Sequence, residues 1–171
     1  MEIRLLKPND AENYRTIRLE ALKNNPEAFS SSYEEEKEYL LESFENRLSF
    51  QHVFTFGAFE KMLLVGTVTL ICETKMKIKH RANIVAMYVC AGLRESGIGR
   101  ALMEEAIGKA RELVEIEQLH LTVMATNEPA KKLYKSLGFT TYGVDKKGLK
   151  IGDTYFDEEL MVLGLSSSKE N

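Results

Sequence analysis

The sequence predicts one α/β domain with a mixed, mostly antiparallel sheet flanked by helices, and two observations support this fold class. The first is length, because 171 residues can bury one sizeable core but are too few for two comfortable ones. The second is patterning: strand-like and helix-like segments follow each other in the order β-α-α-β-β-β-α-β-α-β-β, with no internal repeat and no linker. We therefore expect a domain over residues 1–165 and a flexible carboxyl-terminal tail over residues 166–171.

The amino-terminal part is predicted to hold one strand and two helices. Ile3–Leu6 alternates as a short strand, and helical spacing over residues 11–22 ends at Asn24-Asn25-Pro26. Ser31 with Glu34 is predicted to form a capping box for the second helix. That helix carries an apolar stripe of Tyr33, Leu40, Leu41, Phe44 and Leu48. Its other face is acidic, which indicates either a solvated surface or a surface that suits a cationic partner.

The remainder is predicted to alternate between strands and helices. A hairpin joins residues 52–59 and 63–72 through Glu60-Lys61, and a basic loop leads to a third strand, Ala82–Val89. The elements that follow are a helix over 98–114, a buried strand over 119–123, a short helix over 128–137 with Pro129 in its first turn, and two strands over 139–144 and 155–163.

Composition excludes several classes of partner. Hydrophobic residues make up 44% and charged residues 29% of the chain, and the net charge of −3 offers no general attraction to nucleic acid or to an anionic membrane. No apolar run reaches the roughly 20 residues that span a bilayer, and no signal peptide is recognised. The two cysteines form no CxxC motif and the three histidines are scattered, so we expect no metal site and a cytoplasmic location.

The stretch GLRESGIGRALM, residues 92–103, lies where the third strand gives way to a helix. The first turn of a helix has backbone N–H groups without intrahelical partners, and anions bind there. Gly97 and Gly99 would let a phosphate oxygen approach the backbone, while Arg94 and Arg100 could add charge-assisted hydrogen bonds. The stretch is therefore suited to a diphosphate, and its alternative interpretation is a tight strand-to-helix turn.

Two common diphosphate motifs do not fit this loop. A dinucleotide-binding fingerprint needs glycine or alanine where Leu102 stands, and no second βαβ unit follows. A nucleoside-triphosphate loop needs a Gly-Lys-Ser/Thr segment that the chain lacks. A nucleotide-binding protein is therefore the weaker alternative.

The longer segments MYVCAGLRESGIGRALMEEAIGKA and LHLTVMATNEPAKKLYKSLGF resemble the GNAT family of acetyl-CoA-dependent N-acetyltransferases. The residues Arg94, Glu95, Ser96, Gly97, Ile98 and Gly99 match the family's R/Q-x-x-G-x-G/A loop, and Asn127, Ala130, Tyr134, Gly138 and Phe139 match its second motif. Residues 18–36 also resemble the substrate-side region of one branch of the family. One departure is Ala91, where the family often has proline.

This resemblance implies a fold feature and a cosubstrate. The strand Ala82–Val89 should splay from the strand Leu119–Val123, and the pantetheine arm of acetyl-CoA should lie in the gap against Met87 and Val89. The implied cofactor-binding set is Met87, Tyr88, Val89, Arg94, Glu95, Ser96, Gly97, Ile98, Gly99, Arg100, Asn127, Ala130 and Tyr134. The side chains of Met87 and Tyr88 could equally be core or wall residues.

Two catalytic roles are implied by the same resemblance. A backbone N–H near Val89 would polarise the acetyl carbonyl, and Tyr134 would protonate the departing thiolate. The alternative for Tyr134 is packing beneath Phe139, and Asn127 is also expected to be the N-cap of its helix.

The general base is left open by the sequence. Glu34, Glu35, Glu36 and Glu73 are candidates, although solvation at the surface explains each of them as well. Cys90 has no recognisable paired base, so direct transfer is preferred over an acyl-cysteine route.

The leading hypothesis is therefore acetyl transfer from acetyl-CoA, without a metal, to a small-molecule or peptide amine. The runner-up is a domain that binds acyl-CoA as a ligand or sensor without turnover. A homodimer is common in the family that the chain resembles.

Overall fold

A computed structural model describes residues 1–165, and the predicted tail, Ser166–Asn171, lies outside the described residues. The described part contains seven strands and five α-helices. In chain order they are β1 (Glu2–Leu5), α1 (Ala11–Asn24), α2 (Tyr33–Glu36), α3 (Leu41–Ser49), β2 (Val53–Glu60), β3 (Leu63–Cys72), β4 (Arg81–Val89), α4 (Ile98–Glu112), β5 (Gln118–Met124), α5 (Glu128–Ser136), β6 (Thr140–Ile151) and β7 (Thr154–Gly164).

The strands form one mixed sheet in the order β1-β2-β3-β4-β5-β7-β6. Every neighbouring pair is antiparallel except β4 and β5, which run parallel. The α4 crossover between β4 and β5 explains this exception, because parallel neighbours need a long connection. The predicted fold class is confirmed.

Two apolar cores lie on opposite faces of the sheet. The larger one packs α4 and α5 against the sheet through residues such as Leu102, Met103 and Tyr134. The smaller one packs α1 and α3 against the other face and includes Tyr88 of β4. We call these the α4 face and the α1 face of the sheet.

The single helix predicted over the stripe Tyr33–Leu48 is wrong, because the chain breaks between α2 and α3. Glu36 is 1% exposed and accepts hydrogen bonds from Arg18 of α1 and Arg47 of α3. A continuous helix would separate positions 36 and 47 by about 16 Å along its axis. The break lets α3 fold back so that Arg47 reaches Glu36, and it leaves Leu40 73% exposed.

Smaller differences concern caps and strand ends. The capping box uses Ser32 and Glu35, one residue later than predicted, since Ser32 has the extended backbone that an N-cap requires. The β2–β3 turn is Lys61-Met62, where both residues have positive φ. Strand β6 extends to Ile151, beyond the predicted end at Val144, because pairing with β7 organises its polar second half.

The two parallel strands separate part-way along their length. They pair only from Arg81–Gln118 to Asn83–His120, although β4 continues to Val89 and β5 to Met124. Ala86, with φ +53°, lies in a bulge where the β3–β4 register shifts. A bulge bends its strand, so it directs the end of β4 away from β5 and opens the splayed pair that the resemblance implies.

No α-helix among residues 1–165 is long and apolar enough to cross a membrane. The same range contains no group of three or more His, Cys, Asp or Glu side chains arranged to hold a metal ion.

Candidate functional site

The opening between β4 and β5 is the first part of the candidate site, and Val89 shows which backbone groups face it. The Cys90 N–H donates to the Val65 carbonyl at 2.9 Å, directly beside the Gly66–Val89 pair. That spacing makes Gly66–Val89 a pair that exchanges no hydrogen bonds of its own. The N–H and carbonyl of Val89 therefore point away from β3 and into the opening, where β5 no longer pairs with β4.

Side chains near the end of β4 alternate between the two faces of the sheet. Met87 and Val89 lie on the α4 face, where a Cβ placed on Gly99 would be 3.1 Å from Met87 Cε and 3.9 Å from Val89 Cγ2. Tyr88 is 5% exposed and packs on the α1 face. Met87 is thus a wall residue of the opening, whereas Tyr88 is a core residue that turns its side chain away from α4.

The loop from Glu95 to Arg100 is the second part of the site. None of the six backbone N–H groups over residues 95–100 donates a hydrogen bond to an acceptor within residues 1–165. Glu95 and Gly97 have positive φ angles of 63° and 87°, which turn successive N–H groups toward one side. Ile98 is 3% exposed and anchors the loop in the core. The arrangement is a cradle of free donors that fits a diphosphate.

The two arginines of this loop have different surroundings. Arg94 Nε donates to the Val89 carbonyl at 3.1 Å, and its Nη2 donates to Asn25 Oδ1 at 2.7 Å. Arg100 donates to Ser136 Oγ at 2.5 Å and pairs with Glu104 on its own helix. Arg94 therefore lies at the rim of the opening, whereas Arg100 links α4 to α5.

Helix α5 brings the second motif against the same opening. Asn127 Oδ1 accepts a hydrogen bond from the Ala130 N–H, so the predicted N-cap is confirmed. Lys131 holds the helix to the sheet, because its Nζ donates to the Ala125 carbonyl and pairs with Glu159 of β7 at 2.7 Å. A Cβ on Gly99 would be 3.5 Å from Leu133 Cδ2, which shows that α5 touches the start of α4.

Tyr134 packs against Phe139, as one of its two sequence-based interpretations expects, and its catalytic role stays a prediction. It is 7% exposed and its ring packs edge-on against Phe139, with 6.2 Å between centroids. Its hydroxyl makes no hydrogen bond within residues 1–165, and burial alone raises the pKa of Tyr134 to about 12. The ring is thus part of the core, while the hydroxyl is a protonated donor without a protein acceptor.

The comparisons with known proteins agree with this geometry. The sequence model of the acetyltransferase (GNAT) domain family matches residues 3–160. The chain belongs to the GNAT family.

Relatives and solved structures extend this result. The chain is 30% identical over 98 residues to L-amino acid N-acetyltransferase AaaT of Escherichia coli (strain K12), a match that covers 57% of the chain and 60% of that relative. A GNAT-family acetyltransferase from Streptococcus pneumoniae has the same fold, with a TM-score of 0.85, 24% identity and coverage of 96% of this chain and 99% of that one.

A third protein of the same fold was solved with acetyl-CoA. The structure of yncA from Salmonella typhimurium, with its cofactor acetyl-CoA, has a TM-score of 0.81 and 18% identity, and covers 100% of this chain and 97% of that one. At these identities the solved structures support the fold alone.

The four carboxylates that sequence analysis offered as candidate general bases all make other contacts in the structure. Glu34 pairs with Lys37, and Glu35 accepts from Ser32 in the capping box. Burial would raise the pKa of Glu36, but hydrogen bonds from its two arginines hold that pKa below its ordinary value. Glu73 accepts from Asn83 Nδ2 at 2.9 Å, at the end where β4 and β5 still pair.

Sequence reasoning missed a carboxylate on α1. Glu20 Oε1 accepts a hydrogen bond from the Tyr88 hydroxyl at 2.9 Å, across a separation of 68 residues. No local motif marks Glu20, because its contacts are made only when α1 packs on β4.

Cys90 lies next to the same carboxylate. Burial, together with the negative charge of Glu20, raises the pKa of the Cys90 thiol to about 11. The sulfur is therefore a neutral thiol near pH 7 and a poor nucleophile.

Proposed function

We propose that this GNAT protein is an N-acetyltransferase that transfers the acetyl group of acetyl-CoA to a primary amine by direct attack in a ternary complex. The observation that carries the proposal is the continuity between the β4–β5 opening and the free N–H groups over residues 95–100. An extended arm can follow the free edge of β4 while its diphosphate binds the loop.

Every sequence-predicted site residue except Tyr88, whose side chain packs on the α1 face, has a role in this proposal. Met87 and Val89 flank the pantetheine arm, and residues 95–100 bind the diphosphate through backbone N–H groups, with Arg94 at the rim. Asn127 and Ala130 begin the helix that carries Tyr134. The Val89 N–H is directed into the opening, where it can stabilise negative charge that grows on the acetyl oxygen.

Two features favour direct transfer by an enzyme. The neutral Cys90 thiol argues against an acyl-cysteine route. The Tyr134 hydroxyl has no protein acceptor among the described residues, so it is available to the departing sulfur. A domain that only stores or senses acyl-CoA would have no use for such a donor.

The acceptor that we propose is a primary amine, and the first class to test is the α-amino group, since the Escherichia coli relative is named an L-amino acid N-acetyltransferase. The test is release of coenzyme A thiol from acetyl-CoA with a panel of L-amino acids, a peptide that begins with alanine, and polyamines. An amine-dependent release at least tenfold above the amine-free rate supports the proposal.

Calorimetry with coenzyme A, ATP and NAD on the same preparation separates the alternatives. Coenzyme A binding without thiol release would support the acyl-CoA-binding domain instead. Preferential binding of ATP or NAD would overturn both the cosubstrate and the reaction.

A further inference from the structure

The α1 face of the sheet carries a carboxylate beside the opening between β4 and β5. Glu20 lies near the carboxyl end of α1, is partly exposed, and contacts the end of β4. The turn that follows α1, Pro26–Ala28, contacts β5. The end of α1 and this turn therefore lie over the opening on the face opposite α4, and the diphosphate loop belongs to the α4 side.

Glu20 contacts the residues on either side of Val89, whose backbone N–H is proposed to polarise the acetyl carbonyl. Tyr88 donates its hydroxyl to Glu20, and the Cys90 thiol is close enough for Glu20 to raise its pKa. These two residues flank Val89, whose N–H points into the opening. Residues two apart on a strand share a face, so Tyr88 and Cys90 place Glu20 on the α1 face of the strand segment that contains Val89.

Titratable and charged groups of β4 and of the turn after it lie near Glu20. They are the Tyr88 hydroxyl, the Cys90 thiol and the Arg94 guanidinium, whose carbon lies 5.7 Å from the Tyr88 ring centroid. Arg94 directs its own hydrogen bonds to Val89 and Asn25. Glu20 forms no ion pair within residues 1–165, whereas Glu34 and Glu36 are paired with cations and Glu35 lies in a cap.

We infer that Glu20 is the carboxylate that receives the acceptor ammonium and removes the proton it must lose before it attacks. This assignment rests on the proposed function. Tyr88 is a positioning residue, because its hydroxyl donates a hydrogen bond to Glu20 Oε1 and so holds the carboxylate in place. In this proposal the acceptor approaches the acetyl carbon from the α1 face of the sheet, whereas α4 and the diphosphate loop lie on the opposite face.

The proposed step transfers one acetyl group to the acceptor and releases one proton. The ammonium gives one proton to Glu20, and the freed nitrogen lone pair forms a C–N bond to the acetyl carbon. The carbonyl electrons move to the oxygen beside the Val89 N–H and return as the C–S bond breaks. The nitrogen loses a second proton, the sulfur gains one through Tyr134, and Glu20 releases its proton to solvent. One ammonium and one acetyl-CoA give one amide, one thiol and one proton.

The test compares Glu20→Gln with Glu12→Gln, a matched change at an exposed position of the same helix. The acceptor is a synthetic peptide that begins with alanine, whose α-amino pKa is about 8. Glutamine still accepts a hydrogen bond from Tyr88, so the fold should survive. We expect Glu20→Gln to lower kcat/KM for the peptide at least tenfold at pH 7. The KM for acetyl-CoA should not change, and Glu12→Gln should match the parent.

The pH dependence distinguishes a base from a structural residue. As the pH rises from 7 to 9, the peptide loses its proton in solution, so the deficit of Glu20→Gln should shrink. A deficit that stays constant over this range, or a value within twofold of the parent at pH 7, would overturn the assignment.

A conservative variant covers the case in which Glu20→Gln is unstable. Glu20→Asp keeps the carboxylate and should lose less activity than Glu20→Gln, with the pH profile of the parent; an equal loss would overturn the inference. If the parent itself releases no thiol with any amine, the proposed function fails and this inference fails with it. An active parent with an unaffected Glu20→Gln variant rejects Glu20 alone.

Discussion

The hydroxyl of Tyr134 can be removed with little other change to the molecule. Tyr134→Phe keeps the ring that packs against Phe139, and no hydrogen bond within residues 1–165 is lost. The hydroxyl oxygen is not among the buried, unpartnered polar atoms of residues 1–165, so its removal relieves no large desolvation cost. The free energy of unfolding should therefore change by less than about 1 kcal/mol.

The expected effect on catalysis is much larger. Loss of a positioned proton donor lowers the rate by roughly 10²-fold or more, about 2.7 kcal/mol of transition-state stabilisation. The hydroxyl contributes little to ground-state binding, so coenzyme A affinity should not change. Tyr134→Phe should thus lower the turnover number strongly while the free energy of unfolding and the coenzyme A affinity stay nearly unchanged.

The raised pKa of Tyr134 also sets the pH behaviour. With a pKa of about 12, only about one Tyr134 in a thousand is ionised at pH 9. The donor form is therefore complete throughout the working range, and an alkaline loss of activity between pH 7 and 10 should not come from Tyr134. The parent and Tyr134→Phe should have parallel profiles over this range.

The assay is a single-turnover measurement of thiol release, since slow product release would hide a slower chemical step. Thermal melting and coenzyme A calorimetry on the same samples give stability and affinity, and Tyr39→Phe, at a partly exposed tyrosine on the α2–α3 turn, is the control. A Tyr134→Phe protein that keeps its turnover but melts earlier would show that Tyr134 is only a core residue. A water or another side chain would then supply the proton.

Three further predictions, which use four substitutions, test the loop and the scaffold. Gly99→Val should weaken coenzyme A binding at least tenfold, about 1.4 kcal/mol, in a protein that still melts cooperatively, because its side chain would enter the wall of the opening; unchanged affinity by calorimetry would remove this glycine from the site. Arg94→Ala should raise the acetyl-CoA requirement more than Arg100→Ala, and the difference should shrink in high salt; equal effects at low salt would indicate a diffuse positive rim. Glu36→Gln should lower the free energy of unfolding by about 3 kcal/mol in denaturant titrations, since it leaves two arginines facing a neutral group. The pKa of Glu36 is lowered in the folded state, so its contribution is present above about pH 4.3, the unfolded value, and is lost as the pH falls through the folded pKa; a parent and variant that differ equally at pH 7 and pH 3 would contradict this origin.

Local features of this chain could be predicted from the sequence because they depend on residues that are close together in the chain. Gly97 needs its positive φ within one turn of the chain, and Asn127 caps a helix that begins one residue later. The spacing from Arg94 to Gly99 and from Asn127 to Phe139 was sufficient to indicate the family. The order of strands and helices followed from periodicity, which reports the face that each segment buries.

Tertiary contacts decided what periodicity could not. The apolar spacing between Tyr33 and Leu48 suits one helix, yet the chain breaks there because Glu36 must reach arginines on two other helices. The acidic residues of that segment look alike in sequence, and only packing separates the buried Glu36 from its capped and surface-paired neighbours. The length of β6 likewise depends on β7, since its polar residues are ordered by a partner strand.

The candidate site divides in the same way. The glycine loop proposed to bind a diphosphate, the capped helix and the place of Tyr134 on that helix could be predicted from the sequence, because each depends on residues close together in the chain. The direction of the Val89 N–H and the contact between Glu20 and Tyr88 required the folded structure, since they depend on a bulge at Ala86 and on a contact across 68 residues. A hydrogen bond between distant residues leaves no periodic trace in the sequence, so it becomes visible only when the sheet and α1 are packed together.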